Sequence, residues 1–141
     1  MEGIMEPDSR TDRRAREVIG AAIAVHSALG PGFLESVYQR ALEVELKARG
    51  IPFEREKYVE VLRRGVLVGR GRCDFVVDTC LVVELKAIEA LAPVHSSIIV
   101  SYLRAAKLML ALLINFNVLI LKDGIKRIIV SPRATQRKGD L

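Results

Sequence analysis

Apolar residues recur at helical spacing through residues 13–29 (RRAREVIGAAIAVHSAL), and Asp12 stands where an N-cap is wanted. Gly30-Pro31-Gly32 breaks this helix, and a second is expected from about Leu34 to Arg49. Its stripe of Leu34, Val37, Tyr38, Ala41, Leu42, Val44, Leu46 and Ala48 is wide, and Gly50 stops it. Period-two alternation then marks a strand over 53–62, with a turn at Arg64-Gly65 and further strands over 66–77 and 81–87. Residues 92–109 read as a helix entered at Pro93, and 110–116 as a buried strand. A last short strand over 125–130 follows a turn at Asp123-Gly124.

The order is helix, helix, three strands, helix, strand, strand. It predicts one α/β domain with a mixed sheet of about five strands flanked by helices. A flexible N-terminal segment over 1–12 and a polar tail over 132–141 are expected to bracket a domain at 13–131. The longest apolar run, Leu108–Leu121, holds 14 residues and includes Asn115 and Asn117. It is short of the roughly 20 residues needed to cross a bilayer, so it reads as core and no membrane partner is expected.

Composition narrows the class. Half of the 141 residues are hydrophobic and 28% are charged, which excludes a disordered chain. The apolar segment after the N-terminus lacks a leucine-rich secretory core. Cys73 and Cys80 have no CxxC spacing and no nearby His, so they read as reduced packing residues of a cytoplasmic protein. The net charge of +5 permits a polyanionic partner without requiring one. Arg13, Arg14, Arg16, Arg63, Arg64, Arg70 and Arg72 are the candidate phosphate contacts, with a solvated basic face as the alternative.

The segment VVELKA, residues 82–87, sets charge into an otherwise apolar strand. Alternation puts Glu84 and Lys86 on one face, and Asp74, Val76 and Asp78 on one face of the preceding strand. If the two strands form a hairpin centred on Thr79, Asp74 lies opposite Glu84. Two carboxylates and an ammonium then converge. Like carboxylates repel unless a cation separates them, and a hard divalent ion that prefers oxygen ligands is the natural solution. Lys86 would orient or help deprotonate an attacking water, or offset charge building on a phosphate. On spacing alone a structural Asp–Lys or Glu–Lys pair at a sheet end is the simpler reading. Glu35, in the first turn of the second helix, is either a third acidic member of the site or a partner of the helix N-terminus. His26 lies among apolar neighbours and reads most simply as a packed histidine.

Taken together, Gly32-x-x-Glu35-x-x-Tyr38, Asp74, Glu84-Leu85-Lys86-Ala87, Tyr102-Leu103 and Leu113-Ile114-Asn115-Phe116 resemble the GxxExxY family of the PD-(D/E)xK nuclease superfamily. The resemblance covers about residues 13–131 and implies a restriction-endonuclease-like fold with the active site on the central hairpin. It implies metal-dependent phosphodiester hydrolysis of nucleic acid, DNA before RNA, with Mg²⁺ or Mn²⁺ as cofactor. Asp74 and Glu84 match the metal-binding carboxylates, Lys86 the catalytic lysine and Glu35 the helix-borne acidic residue. His26 falls where some related nucleases place a further metal ligand. Tyr38, Tyr102 and Arg72 are candidate substrate contacts, and a homodimer is the oligomer such folds often form. The sequence departs from the pattern in two places. Cys73 stands where Pro often precedes the Asp, and Ile98 stands four residues before Tyr102, where a Gln is usual. The Ile98 departure motivates the alternative of a non-catalytic nucleic-acid-binding or assembly module. A structural homo-oligomer built on the helix around Ile98–Leu103 is a third reading.

Overall fold

The computed structural model describes residues 7–131, so the expected tail, and the first half of the expected N-terminal segment, lie outside the described residues. The first helix, α1 (Ser9–Leu29), begins before residue 13 because its N-cap is Asp8 rather than Asp12. Asp8 has extended backbone (φ −65°, ψ 167°), and its carboxylate accepts the Thr11 N–H at 2.8 Å. Asp12 instead occupies the first turn, pairing with Arg16 and, at 3.0 Å, with Arg127. The helix ends where Gly30, at φ 71°, takes a conformation that side chains resist.

Helix α2 (Glu35–Ala48) buries Tyr38, Leu42 and Leu46, one residue per turn on a single stripe. Strands β1 (Phe53–Arg63), β2 (Val66–Val77) and β3 (Leu81–Lys86) follow, then helix α3 (Pro93–Ala106). Lys107 closes α3 in the left-handed conformation, ahead of the expected end at residue 109. Strand β4 (Leu110–Asn115), a short 3-10 helix (Leu121–Gly124) and strand β5 (Ile125–Ile129) complete the described chain. The expected turn at Asp123-Gly124 is thus the end of a helical turn.

The sheet order is β1-β2-β3-β4-β5, antiparallel throughout except for the parallel pair β3–β4 that α3 connects. Two cores sandwich it. Ala15, Val18, Ala22, Tyr38, Leu42 and Leu46 of α1 and α2 meet Phe75, Val83, Leu85, Leu112 and Ile114 on one face. Ile99 and Leu103 of α3 meet Val59, Val76, Val82, Ala111 and Leu113 on the other. Being covered on both faces, β3 and β4 are buried almost throughout and apolar except for Glu84, Lys86 and Asn115, in the manner of parallel neighbours. Cys73 and Cys80 are buried free thiols in different cores.

β1 and β2 outrun this sandwich. Every residue from 61 to 70 is exposed, and the hairpin closes through Arg64 (φ 51°) and Gly65 (φ 78°) between the paired Arg63 and Val66. Two positive φ values in a two-residue loop match the twist of the strands, a turn that favours Asn or Gly at its first position. Arg64 holds that position at a cost of roughly 1 kcal/mol.

A tight approach locks the far side of the sheet. A Cβ on Gly124 would fall onto the Asn115 carbonyl oxygen and within 3.1 Å of Val118. Gly124→Ala should therefore destabilise the protein by about 1–3 kcal/mol, read as a lower urea midpoint at unchanged slope. An unaltered midpoint would show that this corner yields freely.

Candidate active site

The β2–β3 register is Phe75↔Val83, Val76↔Val82 and Val77↔Leu81, which centres the hairpin on Thr79. The next rung would join Asp74 to Glu84, and there the backbone ladder stops. The Asp74 N–H donates to Glu84 Oε1 at 2.6 Å, and the Leu85 N–H donates to Asp74 Oδ2 at 2.8 Å. Each carboxylate thus satisfies a backbone donor of the opposite strand, and the two enter the gap between the strands.

This corrects one expectation. Asp74 does not simply share a face with Val76. Cys73 packs on the α3 side while Phe75, two residues on, packs on the α1–α2 side, so the alternation breaks at Asp74. Across from it on β1, Glu56 has φ 53°, and the pairing skips from Arg55 to Lys57. The local twist frees the Asp74 side chain from the pleat.

Three carboxyl groups sense one another here. Burial pushes Glu84 up to about 7, and the charge of Asp74 adds to the rise; the Asp74 N–H and Lys86 pull the other way. Glu35 is raised by burial and then by Asp74, with Lys86 opposing. Asp74 is raised by burial, against the Leu85 N–H, the Gln39 amide and Lys86. Among the described residues, none of these four charged side chains forms an ion pair.

Two residues beyond the expected site members support the site: Gln39, which the sequence pattern did not single out, and Asn115, which it gave only as part of a motif. Gln39 lies one turn beyond Glu35 and donates to its Oε2 at 3.0 Å while also easing charge on Asp74. The i, i+4 spacing on an amphipathic helix was the available signal. Asn115, buried at the end of β4, receives the Ile88 N–H (3.1 Å) and donates to the Ile88 carbonyl (2.9 Å). The Phe116 N–H caps the Lys86 carbonyl at 2.9 Å, so β4 fixes the strand end that carries Lys86.

Other expected members lie elsewhere. Tyr38 is fully buried: its ring stacks on Phe116 at 4.6 Å, and its hydroxyl donates to the Gly30 carbonyl at 2.5 Å. It closes the Gly30–Phe33 loop and has no surface to offer a substrate. His26 bonds through Nε2 to the Val118 carbonyl (2.7 Å) and shares none of the bonds around Asp74 and Glu84. It lines a cavity of about 520 Å³ with Ile23, Gly30 and Leu119, which none of the four charged residues borders. Arg14, largely buried, is committed to Asp78 (2.9 Å) and Glu17 (2.9 Å), whereas Arg16 makes only a surface pair with Asp12.

Tyr102 stands at the α3 edge of the site. Its ring covers Gly71 so closely that a Cβ there would enter it. Burial, then the charge of Glu84, raises its pKa. Arg72 itself is exposed, 3.8 Å from Glu56. Ile98 turns outward, 44% exposed.

As a cation site, the pair Asp74 and Glu84 supplies hard oxygen donors in a gap where their own charges are unfavourable. That fits an ion such as Mg²⁺, which takes one or two carboxylates and keeps its remaining ligands as water or phosphate. Among the described residues no group of three or more His, Cys, Asp or Glu side chains is gathered to hold a metal, so Glu35 and His26 do not complete a cage.

A mixed sheet with an acidic pair and a lysine on its central hairpin defines a restriction-endonuclease-like α/β protein. A family model of the PD-(D/E)XK nuclease superfamily matches residues 12–128, and the chain belongs to that superfamily. Its nucleases act on nucleic acid and generally depend on a divalent metal. No curated protein and no solved structure matches the chain. No described helix is long and apolar enough to cross a membrane.

The raised Glu84 carboxyl has a consequence for stability. Its proton is held more tightly in the folded protein, near 7, than at the ordinary value of 4.5 in the unfolded chain. The stabilisation is complete below the unfolded value and is lost as pH rises through about 7, about 3 kcal/mol in all. Without divalent metal, the melting midpoint should fall between about pH 5 and about pH 8, and Glu84→Gln should flatten the decline. Parallel profiles for the two proteins would remove Glu84 as the cause.

Proposed function

We propose that the protein is a metal-dependent phosphodiesterase of the GxxExxY group that cleaves nucleic acid, DNA in preference to RNA, in the cytoplasm. The observation that carries this reading is the reciprocal pair of bonds by which Asp74 and Glu84 interrupt the β2–β3 ladder. A purely structural polar pair would more simply leave the ladder intact and be answered by a salt bridge.

Asp74 and Glu84 would hold Mg²⁺ or Mn²⁺, which when bound supplies Lewis-acid polarisation of the phosphate and a lowered pKa for the attacking water. Lys86 presents its ammonium to the developing phosphorane charge and orients the water for in-line attack. The P–O bond opposite the nucleophile breaks, and the leaving oxygen takes a proton from solvent. Glu35, protonated more readily than an ordinary carboxyl, would donate a hydrogen bond at the edge of the site or accept the proton released by water. Arg72 and Tyr102 flank the approach, the arginine towards a neighbouring phosphate.

A second reading keeps the fold and binding but not turnover. The exposed apolar Ile98, where the resemblance expects an amide, favours it. Labelled single- and double-stranded DNA and RNA, incubated with Mg²⁺ or Mn²⁺, separate the two readings. Lys86→Ala should cut cleavage by about 100-fold or more, near 3 kcal/mol of transition-state stabilisation. Equal activity in both proteins would defeat the mechanism, and salt-sensitive binding without cleavage of any substrate would establish the second reading.

A further inference from the structure

The outer half of the β1–β2 hairpin is not used by the site. From residue 61 to residue 70 both of its faces are exposed, so it contributes to neither core. Isolated two-stranded ribbons are marginal in water, and this outer half has neither a third strand nor a helix against it. Its charge indicates the kind of partner. Between residues 57 and 72 stand Lys57, Arg63, Arg64, Arg70 and Arg72 against the single carboxylate Glu60. Lys57 and Arg72 are answered by Glu54 and Glu56 at the root, whereas Arg63, Arg64 and Arg70 make no ion pair among the described residues.

Shape narrows the partner further. Arg64 occupies the exposed tip in a left-handed conformation where Asn or Gly is favoured, so a cationic residue stands at the end of the ribbon. β2 extends from Val66 past Asp74, with a bulge at Val68 where the pairing passes from Val61↔Gly69 to Leu62↔Leu67. The ten steps from Arg64 to Asp74 span about 30 Å, close to one turn of B-form DNA. A two-stranded ribbon fits the major groove of B-form DNA, about 12 Å wide, and the corresponding groove of duplex RNA is too narrow to admit one. The apolar side chains on the arm, Val61, Leu62, Val66, Leu67 and Val68, are 43–62% exposed. They suit thymine methyl groups and base-step edges.

We propose that the β1–β2 arm is a ribbon that enters the groove of double-stranded DNA about one turn from the phosphate held at Asp74 and Glu84. The distance to Asp74 and Glu84 rests on the nuclease reading; the entry of the arm into duplex DNA does not. Arm and cleavage are tested apart.

The experiment is fluorescence anisotropy of the full chain with a labelled duplex of about 24 base pairs and with its single strand, in EDTA, between about 50 and about 200 mM salt. The Arg63→Asn/Arg64→Asn double variant keeps the turn, because Asn accepts positive φ. Its duplex affinity should fall by about tenfold and its salt slope should become shallower by about two, with a smaller loss on single strands. Arg70→Gln, away from the turn, should give about half that change in slope. Unchanged duplex affinity and slope in both variants would overturn the proposal, as would a parent protein that prefers the single strand. So would a change in sedimentation with DNA affinity intact, which would make the arm a contact between copies of the chain. Arm-dependent duplex binding by a protein that cleaves nothing with Mg²⁺ or Mn²⁺ would uphold the arm and remove the nuclease reading. Cleavage with arm-independent binding would do the reverse.

Discussion

Between β2 and β3 the backbone gives up its own ladder, and two carboxylates take over. This exchange is the constraint on which the rest of the site depends. A buried N–H must find an acceptor, and an unpaired one costs about 1–3 kcal/mol. Asp74 and Glu84 each meet that demand for the other's strand. Each is therefore held in place by the need to pair the backbone, whatever else it does. The burden is electrostatic: charge is kept in a partly dry gap, and the carboxyl groups rise in pKa as a result. A fold that accepts this arrangement has made a place where a cation is worth more than it would be in water.

The surrounding structure serves that gap from both sides. On the α2 side, Gln39 spans from Glu35 towards Asp74. On the β4 side, Asn115 and the Phe116 N–H fix the chain just beyond Lys86. Below, the Tyr38–Phe116 stack ties α2, which carries Glu35, to the residue whose N–H caps the Lys86 carbonyl. None of these supports is itself reactive. Together they explain why a buried tyrosine, an amide and a phenylalanine belong to the same local motif as the acids.

Much of this was legible in the sequence, because periodicity and parity are strong constraints. The spacing of Asp74 and Glu84 about Thr79 fixed which residues could meet, and the register agrees. Alternation did not disclose the twist at Asp74, since a break in the pleat leaves no mark in hydropathy; its visible correlate is the positive φ of Glu56. The start of α1 was misplaced because Asp8 and Asp12 are both acceptable caps, and only backbone conformation separates them. Tyr38 was assigned to substrate because a tyrosine one turn from an acid fits either role, and its burial comes from Phe116, far away in the chain. The reach of the hairpin was hidden for a similar reason: Val66, Leu67 and Val68 look like core until the sandwich is found to end before them.

Gly71 and Tyr102 are coupled through volume. The tyrosine ring lies over a backbone with no side chain, filling the space that a Cβ would need. A side chain at residue 71 would have to displace the ring, and with it the group that covers the α3 edge of the site. The residue at 71 is therefore tied to the placement of one that stands 31 positions later in the chain.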